Sequence, residues 1–245
     1  MKKLLAAVAA SIAAAAFCCL PALAAPPAVP MFGWTGCYIG ANTGGVWAHK
    51  DSTVTSEIET NNTVNTQHFP LGSTHLNGWA YGGQLGCDYQ VNNVWVLGLR
   101  AMWDGSDVNG NNPSPAFGPY GNQFKISQFA TAVATVGYLL NPTLELYGLG
   151  GFAWVRETLN WNILVPSPDR FLATGNPNSR NGYDVGVGVS WMFAPHWNLF
   201  VEYDHMGFGT KNIIMSGSGA AVGNTWFVDV RQNMDKLLVG FNFRN

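Results

Sequence analysis

Between Trp34 and the C-terminus, short and long connections strictly alternate, and the runs they join change side-chain character with a period of two. Such runs read as strands, and they fall near residues 34–47, 77–91, 94–105, 124–140, 143–158, 182–194, 197–209 and 226–243. Three connections are tight, centred on Asn92-Asn93, Asn141-Pro142 and Pro195-His196. The other four begin at His49, Ser106, Asn160 and Thr210 and are rich in Asn, Ser, Gly or Pro, the chemistry of turns and loops. An ordinary globular domain seldom tolerates several loops this long. A membrane barrel has short turns at one end, long loops at the other and an even number of strands. The pattern predicts an all-β fold: an eight-stranded antiparallel up-and-down transmembrane β-barrel with four long external loops and three short periplasmic turns.

The phase of the side chains supports this. In "GWAYGGQLGCDYQV", Trp79, Tyr81, Leu85, Cys87, Tyr89 and Val91 point one way, and Gln84, Asp88 and Gln90 the other. In "NGYDVGVGVSWMF", Tyr183, Val185, Val187, Val189, Trp191 and Phe193 oppose Asp184, Gly186, Gly188 and Ser190. Apolar outside and small or polar inside is the inverse of a soluble barrel. A secreted β-sandwich with an apolar core, the alternative, would need charges on its exposed face, where this chain offers mostly glycine. Aromatics gather at both strand ends, as expected where amphipathic rings meet lipid headgroups. Trp34, Tyr89, Trp95, Tyr138, Phe193, Trp197 and Phe243 fall at the short-turn ends; Trp47, Trp79, Trp103, Trp154 and Trp226 fall at the long-loop ends.

The N-terminal "MKKLLAAVAASIAAAAFCCLPALAAPP" has two lysines, an apolar run and a small-residue Ala22-Leu23-Ala24 cleavage site. It reads as a secretory signal peptide over residues 1–24, followed by a Pro-rich segment at 25–33 and the barrel domain at 34–245. Only 11% of residues are charged, against roughly 25% in ordinary soluble domains, so a hydrated surface is hard to build. Net charge is -2 with no basic stripe, which argues against a nucleic-acid partner. No later run reaches the roughly 20 apolar residues of a membrane helix, which leaves a closed barrel as the way across a bilayer.

An eight-stranded barrel is only wide enough to be filled by its own side chains. The polar residues expected in its lumen are Asn42, Gln84, Asp88, Arg100, Asp104, Glu145, Asp184, Glu202 and Asp204. They should pair or hydrogen-bond, Arg100 with Glu202 or with Asp184; a narrow ion path is the other reading. His49, His68 and His75 all fall in the first long connection, where imidazoles could ligate heme iron or a transition metal. Enzyme signals are weak. His205 in "YDHMGFG" stands where a lipid-ester hydrolase could keep its base, but Met206, Gly207 and Phe208 follow rather than a serine. "DVNGNN" has its glycine at the wrong position for a calcium loop, and "GLGG" lacks the lysine of a phosphate loop.

The stretches "GWTGCYIGANTGGVW", "YGGQLGCDYQVNNVWVLGL", "ATVGYLLNPTLELYGLGGFAW", "VGVGVSWMFAPHWNLFVEYDHMGFG" and "LLVGFNFRN" resemble successive strand motifs of a known family. It is that of the small porin-family, outer-membrane immunogenic-type proteins of Gram-negative alphaproteobacteria, which has hemin-binding relatives. The resemblance implies a surface antigen of the cell outer membrane, embedded in its lipid and delivered by the barrel assembly machinery. It further implies a structural or surface-interaction role, with an extracellular or host surface partner, and no enzymatic activity or resident cofactor. Hemin, bound through the external loops, is the alternative ligand. The chain departs from the family where Arg100 replaces a usual acidic residue, where Val133 and Thr135 stand about where arginines are usual, and where it ends "FNFRN", with Phe243 two residues short of the usual terminal phenylalanine.

Relatives tend to carry aromatics where Cys37 and Cys87 stand, so the two cysteines read as linked changes. Both face outward near the periplasmic ends of adjacent strands. Directly opposed, their Cα atoms would lie within disulfide reach, and export permits oxidation. One register apart, they would remain thiols.

Overall fold

A computed structural model describes residues 33–66, 68–113, 120–163, 171–175, 178–217 and 222–245. The expected signal peptide and nearly all of the Pro-rich segment lie outside the described residues. Eleven strands follow in order: β1 (Gly36–Ile58), β2 (Val64–Asn65), β3 (Phe69–Gln90), β4 (Trp95–Ser106), β5 (Asn109–Pro113), β6 (Tyr120–Asn141), β7 (Leu144–Ile163), β8 (Phe171–Gly175), β9 (Asn178–Ala194), β10 (Trp197–Gly217) and β11 (Thr225–Arg244). The antiparallel pairings run β1 to β3, β4, β6, β7, β9, β10, β11 and back to β1, so that the sheet closes on itself. The short strands β2, β5 and β8 add to this ring at the long-connection end, on β1, on β3 and β6, and on β7 and β10.

The ring strands run well past the ends expected from the sequence. β1 continues to Ile58 rather than residue 47, β3 begins at Phe69 rather than 77, and β10 continues to Gly217 rather than 209. Much of what reads as long loop is therefore paired strand. Among the described residues of the first such stretch, only the turn at Glu59–Thr63 and the residues Thr66 and His68 lie outside the strands, with Asn62 in the left-handed region at φ 64°.

The physical reason is an inversion of solvent. Below the ring of Trp47, Trp79 and Trp103, the outward side chains are apolar: Leu85, Leu99, Val187 and Val201 are all exposed. Above it the alternation keeps its period and changes sides. Val54, Leu71, Leu76, Phe124, Ile126, Ile213, Met215, Val228 and Val230 point inward and are buried together. Their outward neighbours include the polar Asp51, Ser73 and Arg231 beside the apolar Ile214. Burying each large apolar side chain contributes roughly 1.5–3 kcal/mol, so these strands can go on pairing where no lipid covers them. Asn and Ser on the wet face give the composition of a loop to what is the outer face of a strand.

Two aromatics expected at the interfaces are inside instead. Trp34 is 1% exposed, packed with Val96, Leu139 and Met192 across the short-turn mouth. Its parity with Tyr38 and Asn42 puts it on the inward face. Trp226 is 7% exposed and belongs to the upper apolar core, because β11 starts far above the headgroup level. Tyr89, Trp95, Tyr138, Phe193, Trp197 and Phe243 do face outward at one end, as Trp47, Trp79 and Trp103 do at the other.

Candidate functional site

Three layers fill the barrel, and they are built from residues that successive strands turn inward. At the short-turn mouth, Trp34 donates its indole N–H to the Pro142 carbonyl at 3.1 Å. Arg244, the penultimate residue, places its guanidinium 2.6 Å from Asp88 and donates to the Trp34 carbonyl. The same guanidinium stacks 5.1 Å from the Tyr38 ring and 5.4 Å from the Trp34 ring, a cation–π contact on each side.

The middle layer is polar. Arg100 meets Glu202 at 2.7 Å, and the Tyr147 hydroxyl donates to the other oxygen of that carboxylate at 2.8 Å. Asn42 donates to Gln84 at 2.8 Å, and Gln84 donates to Asn242 at 2.7 Å, carrying a chain of amides across β1, β3 and β11. Lys236 lies 3.0 Å from Asp204, and Asp104 and Asp184 are also fully buried at this level. Glu145 lines a cavity of only about 20 Å³, shared with Tyr38, Arg100, Tyr147 and Arg244, which is room for about one water. The inward glycines make this filling possible. A Cβ added to Gly86 would lie 2.5 Å from the Tyr38 hydroxyl, and one on Gly188 would lie 2.4 Å from the Tyr147 ring. Each tyrosine therefore lies across a strand position that only glycine can occupy.

Above these comes a buried ionic triad. Lys50 and Arg180 both contact the Glu157 carboxylate, Arg180 also donates to the Val230 carbonyl at 2.6 Å, and Lys50 sits 4.5 Å over the Phe124 ring. The apolar core around Met206, Phe208, Val228 and Met234 surrounds the triad, with Ser52, Thr74 and Gln232 buried at the same level.

Every polar residue expected in the lumen is directed inward, although Asp88 keeps partial exposure. Apart from Arg100, which meets Glu202, sequence reading missed the buried cations. Lys236 and Arg244 were legible by parity, since outward Leu237, Val239, Phe241 and Phe243 put them inside. Lys50 and Arg180 were not, because they fall in stretches with loop composition.

Cys37 and Cys87 are directly opposed on β1 and β3, with Cα atoms 3.9 Å apart and a disulfide joining them on the outer face. His49 and His75 are also directly opposed on β1 and β3, above Trp47. Their Nδ1 atoms are 3.4 Å apart. His68 precedes β3 and does not join them; among the described residues no three His, Cys, Asp or Glu side chains converge as a metal centre would require.

His205 has an acid partner. Its Nδ1 lies 2.7 Å from Asp235, which also accepts from the Tyr203 hydroxyl at 2.8 Å. Among the described residues, the strand positions around the dyad offer no serine, threonine or cysteine. The residues opposite His205 are Asp235 and Val185, and the next on its own face are Tyr203 and Gly207. The Tyr183 ring covers Gly207, where an added Cβ would lie 2.4 Å from it.

Comparison with known proteins agrees with this architecture. The chain is 30% identical over 226 residues to the 31 kDa outer-membrane immunogenic protein of Brucella melitensis, covering 90% of this chain and 88% of that one. An uncharacterized protein of Coxiella burnetii is 28% identical over 190 residues, 71% of this chain and 72% of that one. Among solved structures, the outer membrane protease OmpT of Escherichia coli superposes with a TM-score of 0.51 at 12% identity, over 89% of this chain and 99% of that one. At that identity the likeness concerns the fold alone. Residues 10–243 match the outer membrane protein beta-barrel domain, and the chain belongs to that family of outer-membrane barrels.

Proposed function

We propose that this outer-membrane barrel is a non-enzymatic, non-conducting surface protein that holds an interaction platform above the bilayer. The observation that carries the reading is the inverted interior. A channel needs a continuous wet path, whereas here side chains fill the mouth with Trp34 and Arg244, the middle with a buried polar layer, and the outer half with an apolar core around the buried triad. Such a core has no transport use; it stiffens strands that project beyond the lipid.

The tip that those strands carry is composite. Thr60, in the turn after β1, donates from its backbone N–H and its hydroxyl to the Asn224 side chain at 3.1 and 2.9 Å, and Asn224 donates to Glu57 at 3.2 Å. The first and last long connections are thereby tied into one surface, which exposes Val64 and Val222 at 60% and 66%. Exposed apolar side chains on a projecting tip suit protein contact.

The test is attachment. Bacteria displaying the protein should adhere to host-cell or matrix-coated surfaces more than the same strain without it. Replacing Glu59–Thr63 with a Gly-Ser linker should abolish the difference while heat-modifiable gel migration persists. Equal attachment by displaying and non-displaying cells would refute the surface role, and stable conductance steps in planar bilayers would refute the closed lumen.

A further inference from the structure

The outer wall above Trp47 carries a square of outward-facing side chains. His49 and Asp51 project from β1, and His75 and Ser73 project from β3 directly opposite them. The imidazoles face each other through Nδ1 at 3.4 Å, with ring centroids 4.6 Å apart and planes inclined by 49°. On the far side of His49, Nε2 lies 3.2 Å from Asp51 Oδ1, and the Ser73 hydroxyl donates to that same carboxylate oxygen. His49 and Asp51 are about half exposed, at 42% and 50% of their side-chain surface.

These distances specify a chemistry. An imidazole whose Nε2–H is held by a carboxylate carries its lone pair on Nδ1, the arrangement that commonly backs a metal-bound histidine. Two imidazole–metal bonds of 2.0–2.1 Å at a tetrahedral angle span about 3.3–3.4 Å between nitrogens, which is the separation found here. Axial ligation of a heme would instead place two nitrogens on opposite sides of a porphyrin, about 4 Å apart for bonds of that length, and these rings stand side by side on one sheet face with no gap for the macrocycle. Borderline-soft divalent ions such as Zn²⁺, Ni²⁺ and Cu²⁺ favour imidazole, whereas Ca²⁺ and Mg²⁺ take oxygen.

We propose that His49 and His75 form a cross-strand site for a divalent transition-metal ion on the outer face of the barrel, with Asp51 as the positioning residue that orients His49. Water completes the coordination shell, because no third His, Cys, Asp or Glu converges there among the described residues. The site is independent of the attachment role and places an exchangeable ion at the foot of the extension, within reach of ligands in the medium.

The experiment uses the untagged, full-length mature protein folded in detergent micelles, with the metal ion alone as probe. Zn²⁺ titration by calorimetry should give one site per chain. His49→Ala and His75→Ala should each weaken it at least tenfold, Asp51→Asn severalfold, and His68→Ala and His205→Ala less than twofold. Heat-modifiable migration verifies the fold of each variant. On the wild-type protein, which needs no variant to fold, the Cu²⁺ electron paramagnetic resonance spectrum should show coupling to two imidazole nitrogens. Wild-type affinity in His49→Ala or His75→Ala, or coupling to fewer than two nitrogens in the wild type, overturns the proposal.

Discussion

The guanidinium of Arg244 lies 2.6 Å from the carboxylate of Asp88, so the penultimate residue of the chain is tied to the second long ring strand across the mouth of the barrel. Side-chain exposure is 4% for Arg244 and 9% for Asp88, and the backbone N–H of Asn245 donates to the Cys37 carbonyl at 3.0 Å. Arg244 and Asn245 thus close the lumen at the seam where β11 meets β1.

Removing one partner of this buried pair should cost far more than removing both. Arg244→Ala strands Asp88 without a counter-ion and should destabilise the barrel by about 3 kcal/mol or more. The double variant with Asp88→Ala should recover part of that loss. Urea-dependent unfolding from lipid vesicles measures both, and equal losses in the single and double variants would show that the pair is not coupled.

The oxidised protein should show no free thiol at Cys37 or Cys87, and it should gain two on reduction. The sequence separation of 50 residues corresponds to about 4 kcal/mol in the chain-entropy account of a cross-link. The Cys37→Ser, Cys87→Ser protein should therefore unfold at clearly lower urea while reaching the same folded gel mobility. Two reactive thiols in the unreduced, unfolded protein would count against the bridge.

The boundary between lipid and water on the outer wall can be located by a matched pair of substitutions. Val187, 59% exposed on the lower outer face, and Ile214, 56% exposed on the upper one, have nearly the same exposure. Arginine at 187 should destabilise by about 2–4 kcal/mol, the cost of a charge near the bilayer midplane. Arginine at 214 should change stability by less than about 0.5 kcal/mol, as for an ordinary wet surface. Comparable losses at both sites would mean that lipid also covers the extension.

Glu157 holds two buried cations, so neutralising it should be worse than removing either cation. Glu157→Gln should cost about 3–5 kcal/mol, whereas Lys50→Met leaves the Arg180 pair intact and should cost less. Folding yield into vesicles and the urea midpoint rank the two. The reverse order would place the stability of this layer in the Lys50 contact with Phe124 rather than in the triad.

These contrasts separate what was legible in the residues from what was not. Parity alone sends Asn42, Gln84, Arg100, Glu202 and Asp204 inward and Leu85, Leu99 and Val187 outward, because side chains of a strand alternate whatever the strand pairs with. The same parity would have placed Trp34, Lys236 and Arg244 inside. Reading Trp34 as an interface anchor gave its amphipathic ring more weight than its phase. Composition misled over the external half, where Asn, Ser and Thr on a wet strand face look like a loop and the apolar partners Val54, Leu71 and Ile213 are spaced too thinly to stand out.

By itself the sequence determined the class of object: exported, all-β, closed, apolar where lipid touches it and filled where it does not. Those properties follow from a local period and from the lack of any other way to satisfy backbone polar groups in a bilayer. Only the tertiary structure decided the height of the barrel, the partners of its buried charges and the meeting of Cys37 with Cys87 and His49 with His75. Each of these depends on register between strands tens of residues apart, and a shift by one residue would turn every one of those side chains to the opposite face.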